Sequence, residues 1–320
     1  MIHLRLRVPA DLREQVTELL CDDETVTNVA VHEGAFRKPE GDLVLADVAR
    51  ENASGVIGSL RDLGLHHQGS ITVEDLSTVL SDDATRAEKA APGAPDDGVV
   101  WVAIEDRLRA ESRLSWAFVA FLTLATLIAG AGRILDQPIL IVGAMVVGPE
   151  FTPMAAICFA LARPRPHMVP RALATLAVGF VMALGLATLC WAVGYHGFGL
   201  FTPEEASTGP QTDFIIRPDI WSFLVALVAG SAGVLSLTTS KSGPLVGVFI
   251  SVTTVPAIGT LAVALASGLW SEVGGCLAQL GVNVLGIVVA GVTTLWVQKL
   301  VWRRVARRGL RHGVRAGVGG

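Results

Sequence analysis

Charge is scarce in this chain. Asp, Glu, Lys and Arg make up 17% of its 320 residues, against about 25% in an ordinary soluble domain. Mean hydropathy is +0.54. The shortage is local. Residues 1–90 carry seventeen acids and nine bases, and the other 230 carry twelve acids and sixteen bases. An acidic soluble domain followed by a membrane domain is the organisation this implies. Other absences narrow the function. Cys21, Cys158, Cys190 and Cys276 lack metal-type spacing, and three lie in apolar runs, so they read as free thiols. The seven histidines form no ligand cluster; His66 and His67 are adjacent, so their rings diverge. No nucleophile–base pair or phosphate loop appears. An enzyme, a cofactor and a metal are therefore not expected. Met1 to Val8 alternates apolar and polar residues, which is a strand pattern and not an apolar leader.

What is present begins with an α+β pattern. Residues 3–8, 26–36, 42–49 and 71–80 read as strands, and 9–20 and 52–63 as helices, with Asn52 as an N-cap and Gly64 as a stop. The order β-α-β-β-α-β over residues 1–80 is the ferredoxin-like pattern. Many functions share that fold; structural or oligomerising use is expected, with a small-ligand site as the alternative. Residues 81–98 read as a flexible linker from their small, charged and proline content. Residues 99–114 read as an amphipathic helix, with Trp101 and Trp116 suited to a membrane interface.

Six apolar segments follow, at 115–132, 138–162, 172–195, 220–238, 244–268 and 276–298. Each has the roughly 20 residues that span about 30 Å of hydrocarbon. Basic residues set their direction. Arg107, Arg109 and Arg113 precede the first segment; Arg163, Arg165 and Arg171 follow the second; Lys241 follows the fourth. The 196–219 loop is acidic, the 269–275 loop holds only Glu272, and in the 133–137 loop Arg133 is balanced by Asp136. Six crossings with both termini cytoplasmic, in a prokaryotic plasma membrane, fit every loop. The tail 299–320 is basic, and Arg303, Arg304, Arg307 and Arg308 are expected on anionic lipid headgroups. It lacks aromatic residues after Trp302, so nucleic acid is not an expected partner.

The second segment carries Gly148-Pro149-Glu150-Phe151-Thr152-Pro153 at its centre. Proline removes a backbone donor and clashes with the preceding turn. A mid-span carboxylate costs roughly 2.5–3.5 kcal/mol on insertion scales. A broken helix facing a cavity or partner helices is expected, with breaks at Gly148, Pro149 and Pro153. Residues 246–260 repeat the pattern around Pro256: Val-Gly, apolar residues, a polar stretch, then proline and small residues. The membrane domain, 115–298, thus reads as two three-helix units in inverted topology with broken middle helices. Glu150, Thr152, Ser251, Thr253, Thr254, Gln279 and Asn283 are the candidates to line a shared polar site. Each has a plainer role open to it: Glu150 as a helix cap, the hydroxyls bonded to their own carbonyls, Gln279 and Asn283 in helix–helix bonding.

Glu111-Ser-Arg-Leu-Ser-Trp116, Ala125-Thr-Leu-Ile-Ala129, Ile141-Val-Gly-Ala-Met-Val-Val-Gly-Pro149 and Leu245-Val-Gly-Val-Phe-Ile250 with Pro256 resemble the bacterial and archaeal "domain of unknown function 389" membrane family. The resemblance covers roughly residues 100–270. It implies the membrane architecture and assigns no substrate; the family commonly has hydrophobic residues where this chain has Glu150-Phe151. The expectation is a secondary transporter, coupled to protons or cations, for an unidentified solute or ion. An oligomeric channel gated by the N-terminal domain and a non-transporting scaffold or sensor are the alternatives, and a homo-oligomer is the expected assembly.

Overall fold

The computed structural model describes residues 1–76, 78–91, 99–163, 167–207, 209–239 and 254–316, with backbone alone for 214 and 302–316. The chain divides into two compact units, one holding residues 1–104 and the other 105–237 and 242–299, with 238–241 and 300–320 grouped with the first.

The first unit contains β1 (Ile2–Val8), α1 (Arg13–Cys21), β2 (Val26–Arg37), β3 (Glu40–Val48), α2 (Arg50–Asp62), the short α3 (Leu65–Gln68) and β4 (Ser70–Asp75). The strands form one antiparallel sheet in the order β2-β3-β1-β4. The even-numbered residues of β1, Ile2, Leu4, Leu6 and Val8, are all buried, as period-two alternation requires. They pack with Val44, Ala46 and Val48 of β3, Val16 and Leu20 of α1, and Ala53, Val56, Ile57 and Leu60 of α2.

Two local expectations are corrected. Asn52 lies inside α2, not at its cap; its amide donates to Asp23 and to Thr25 Oγ1, both 2.9 Å or closer. Residues 82–90 of the expected linker form a helix, α4 (Asp82–Ala90). Ser81 Oγ accepts from the amides of Asp83 and Ala84, two acids occupy the first turn, and Ala84 and Ala87 are buried. A side-chain cap and aligned charges supply what small-residue composition hides.

Glu51 opens α2 half-buried, and both its carboxyl oxygens are without a hydrogen-bond partner among the described residues. Burial pushes its pKa above the usual 4.5, and the Glu88 carboxylate adds to the rise. A raised carboxyl pKa favours the fold below about pH 4.5, and that contribution is lost as pH rises through the folded value. Glu51→Gln is therefore expected to slow amide hydrogen exchange in β1 and β3 at pH 7 but not at pH 4. Equal protection of both proteins at pH 7 would refute this.

The second unit is helical. After α5 (Trp101–Glu111) come α6 (Trp116–Ile134), α7 (Pro138–Val147), α8 (Phe151–Ala162), α9 (Met168–Phe198), the short α10 (Pro203–Ser207), α11 (Ile220–Thr238), α12 (Val255–Ser267) and α13 (Trp270–Ala316). Four helices, α6, α9, α11 and residues 270–301 of α13, are long and apolar enough to cross a membrane. The α7–α8 pair, bent by 60° at its break, makes a fifth candidate. Leu189, Val228 and Leu285 are among many apolar side chains left exposed on these helices, as a bilayer environment allows. The expected fifth span, 244–268, is described only as α12, 13 residues long; 244–253 lie outside the described residues.

Helix directions follow from close contacts at small residues. Gly179 of α9 faces Phe118 and Leu122 of α6, and Gly130 faces Trp191. The contacts advance together along both helices, so α6 and α9 run parallel. The α7–α8 segment must then return the chain from the end of α6 to its starting level. The same holds for α11 and α13: Gly275 meets Ile216, Gly286 meets Ala226, and Gly230 meets Ile287 and Ala290.

Candidate functional site

Pro149 ends α7 because it biases the residue before it away from helix; Gly148 is extended, with φ −67° and ψ 125°. The chain restarts with Glu150 in the N-cap position of α8. Pro153 falls in the first turn, where a missing N–H costs nothing. Pro256 is placed likewise: Thr254 holds the N-cap position of α12, and Pro256 is its second residue.

The two restarts meet. Thr254 Oγ1 donates to Glu150 Oε1 at 2.9 Å, and both residues are 0% exposed. Glu150 makes no side-chain cap to α8; its carboxyl group reaches across to the start of α12. Gly148 makes the approach possible, since a Cβ there would lie 2.4 Å from Glu150 Oε2 and 2.8 Å from Val255 Cγ2. Val255 packs with Leu122, Ala125 and Ala129, in the middle of α6. A carboxyl group thus lies midway along the helices, where two helix N-termini converge. Each N-terminus carries about half a positive charge, so the site favours negative charge.

Each half-helix also makes contact with the other sequence group. A Cβ at Gly259 of α12 would lie 2.5 Å from Ala129 Cβ and 2.9 Å from Thr126 O, both in α6. Cys158 of α8 lies 3.9 and 3.8 Å from the carbonyls of Ile287 and Val288 in α13. Small residues permit this proximity, as in membrane helix contacts generally.

The other sequence candidates are placed as follows. Thr152 is half-buried in the first turn of α8. Gln279 and Asn283, both buried, are one turn apart on α13, and Gln279 Nε2 donates to Asn283 Oδ1 at 3.5 Å. Ser251 and Thr253, and the side chains of Arg303, Arg304, Arg307 and Arg308, lie outside the described residues. Among the described residues no group of three His, Cys, Asp or Glu side chains is arranged to hold a metal.

One polar centre escapes sequence reading. Arg133 was expected in a short loop with Asp136 as its balance. It instead ends α6 fully buried, with Nη1 donating to Thr212 Oγ1 at 2.9 Å and Asp213 Oδ1 at 3.2 Å, and Nη2 to Ser207 O at 2.9 Å. Glu272 Oε1 at the start of α13 is 3.7 Å from Nη2. Asp136 accepts from Thr212 Oγ1 at 3.0 Å, so the hydroxyl relays between the two loop charges. The partners are 74 to 139 positions away in sequence, and no local pattern joins them.

The comparisons bear on the same segments. An uncharacterized protein of Methanocaldococcus jannaschii is 24% identical over 181 residues, covering 57% of this chain and 54% of its own length. The chain therefore matches about half of that relative. No solved structure matches. Residues 145–289, which contain the break before α8 and the start of α12, match the family described as "Domain of unknown function (DUF389)", the family that the Gly-Ala-Met…Pro motif resembles.

Proposed function

We propose that this chain is a secondary transporter, proton- or cation-coupled, whose site lies where α8 and α12 begin. The observation that carries the proposal is the buried Thr254–Glu150 bond between the starts of α8 and α12. An anchor has no use for a mid-helix carboxylate, which is costly in lipid and is by default a functional group there. Interrupted helices with their N-termini at the centre are how transporters build substrate sites.

The remaining architecture of the proposal has its own support. Two parallel pairs, α6 with α9 and α11 with α13, have their close contacts 61 and 60 positions apart (Gly130 to Trp191, Ala226 to Gly286). That regularity supports two inverted repeats and six crossings, with α12 as the visible half of the fifth. Sheet order β2-β3-β1-β4 with α1 and α2 supports a ferredoxin-like N-terminal domain. Loop charge supports cytoplasmic termini in a prokaryotic plasma membrane.

The test uses full-length protein in proteoliposomes under an imposed pH or sodium gradient, screened against panels of small solutes. The expected result is saturable solute uptake that collapses with the gradient. Unitary current steps in planar bilayers, or no gradient-dependent flux for any solute, would overturn it.

A further inference from the structure

Because α6 and α9 run parallel with close contacts 61 positions apart, the segment before α6 lies beside the first turns of α9. The segment entering α6 is fastened to α9 there: Thr175 Oγ1 donates to Ser112 O at 2.9 Å, and both residues are buried. Beside this bond is a pocket of about 290 Å³, with Arg109, Arg113, His167, Arg171, Leu114 and Met168 in its lining. Among the described residues no acidic side chain lines it. Arg109 is paired with Glu105 at 3.0 Å. Arg113 and Arg171 have no carboxylate partner among the described residues, although other exposed arginines, Arg107 and Arg217, do.

The pocket also receives the start of α9. His167 holds the N-cap position and supplies no side-chain cap. The N–H groups of Met168 and Val169, which no residue of the helix can accept, leave the helix end on this side. Two arginines without carboxylates, lining the pocket from the segment before α6 and from α9, and a helix N-terminus that His167 does not cap are complementary to a tetrahedral oxyanion. The rim is apolar: Leu114 is 45% exposed, and nearby Trp116 is 84% exposed. A tryptophan so placed is at home at the level of lipid headgroups.

We propose that this pocket binds a phosphate group, seated between Arg113 and Arg171 over the first turn of α9. The phosphate has two possible sources, a phospholipid headgroup and free phosphate in solution. Occupancy would cross-link the segment before α6 to α9, fixing one end of the helical unit.

The test uses the full-length protein in a phosphate-free neutral detergent, with two probes: inorganic phosphate, and phosphatidylglycerol in a phosphatidylcholine background. Adducts are counted by native mass spectrometry, and binding is titrated by the shift in thermal unfolding. Arg113→Gln and Arg171→Gln are each expected to weaken binding by about tenfold, the worth of one charge-assisted hydrogen bond. Arg107→Gln removes the same charge on α5 but outside the pocket, and is expected to change binding by less than about twofold, as exposed pairs do. Binding of phosphatidylglycerol alone identifies the headgroup as the source, and binding of inorganic phosphate identifies the free ion. Equal losses in all three variants would reduce the effect to diffuse attraction and overturn the site, as would binding of neither probe. The side chains changed are exposed, so the variants keep the fold against which the shifts are read.

Discussion

Glu150→Gln is expected to abolish coupled flux in proteoliposomes while leaving the folded protein intact. Glutamine keeps the shape of the side chain and an oxygen for the Thr254 hydroxyl, so the 2.9 Å contact survives. A neutral bond replacing a charge-assisted one costs about 1 kcal/mol, too little to unfold a domain. What glutamine cannot do is exchange a proton or hold a cation by charge. Gradient-driven uptake should fall to the background of empty liposomes. Thr254→Val separates this role from a merely structural one. It removes the donor and leaves the carboxylate, so thermal stability should drop by about 1–3 kcal/mol while pH-dependent flux persists at a reduced rate. If Glu150→Gln instead transports with an unchanged pH dependence, the carboxyl group only joins two helices, and the proposal loses its ionisable centre.

Arg133→Met is expected to be the most destabilising single change outside the hydrophobic core. The guanidinium group is fully buried and serves Thr212, Asp213, Ser207 and Glu272 at once. Removing one partner of a buried ion pair costs roughly 3–5 kcal/mol, because the charges left behind stay desolvated. Arg133→Lys keeps the charge but not the planar fork, so it cannot donate to Thr212 and Ser207 in the present geometry. It should fall between wild type and Met. Unfolding in mixed micelles with increasing denaturing detergent would measure both. A loss below about 1 kcal/mol for Arg133→Met, the worth of a surface pair, would show that the cluster is solvated and loose.

These two residues mark the limit of what the sequence discloses. Glu150 was legible because its neighbours are. Two prolines and a carboxylate inside a 25-residue apolar run conflict with local helix physics, and such conflicts signal special sites. Thr254 was legible as its counterpart because Pro256 repeats the interruption. Arg133 was not, since its meaning lies in Ser207, Thr212, Asp213 and Glu272, which local periodicity cannot connect to it. The first unit reads well for the same reason as Glu150: alternation along β1 and helical spacing along α1 are local signals. Helix α4 was missed because buried Ala84 and Ala87 resemble the small residues of a linker. The parallel course of α6 and α9 follows from the alternating crossings read off the loop charges, and the glycines facing Phe118 and Trp191 agree with it.

The exchange of half-helices has a consequence for how the protein is made. Helix α12 rests in the space between α6, α7 and α9, yet residue 255 is synthesised 57 positions after α9 ends at residue 198. Until then, the groove that receives Gly259 beside Ala129 and Thr126 is vacant. The nascent first half must wait, partly assembled, for a segment of the second, and α8 in turn waits for Ile287 and Val288. Contacts so distant along the chain form slowly and leave intermediates exposed. The two halves therefore mature together or not at all: a ribosome stalled between them releases a bundle with an unfilled seam, a natural substrate for membrane quality control.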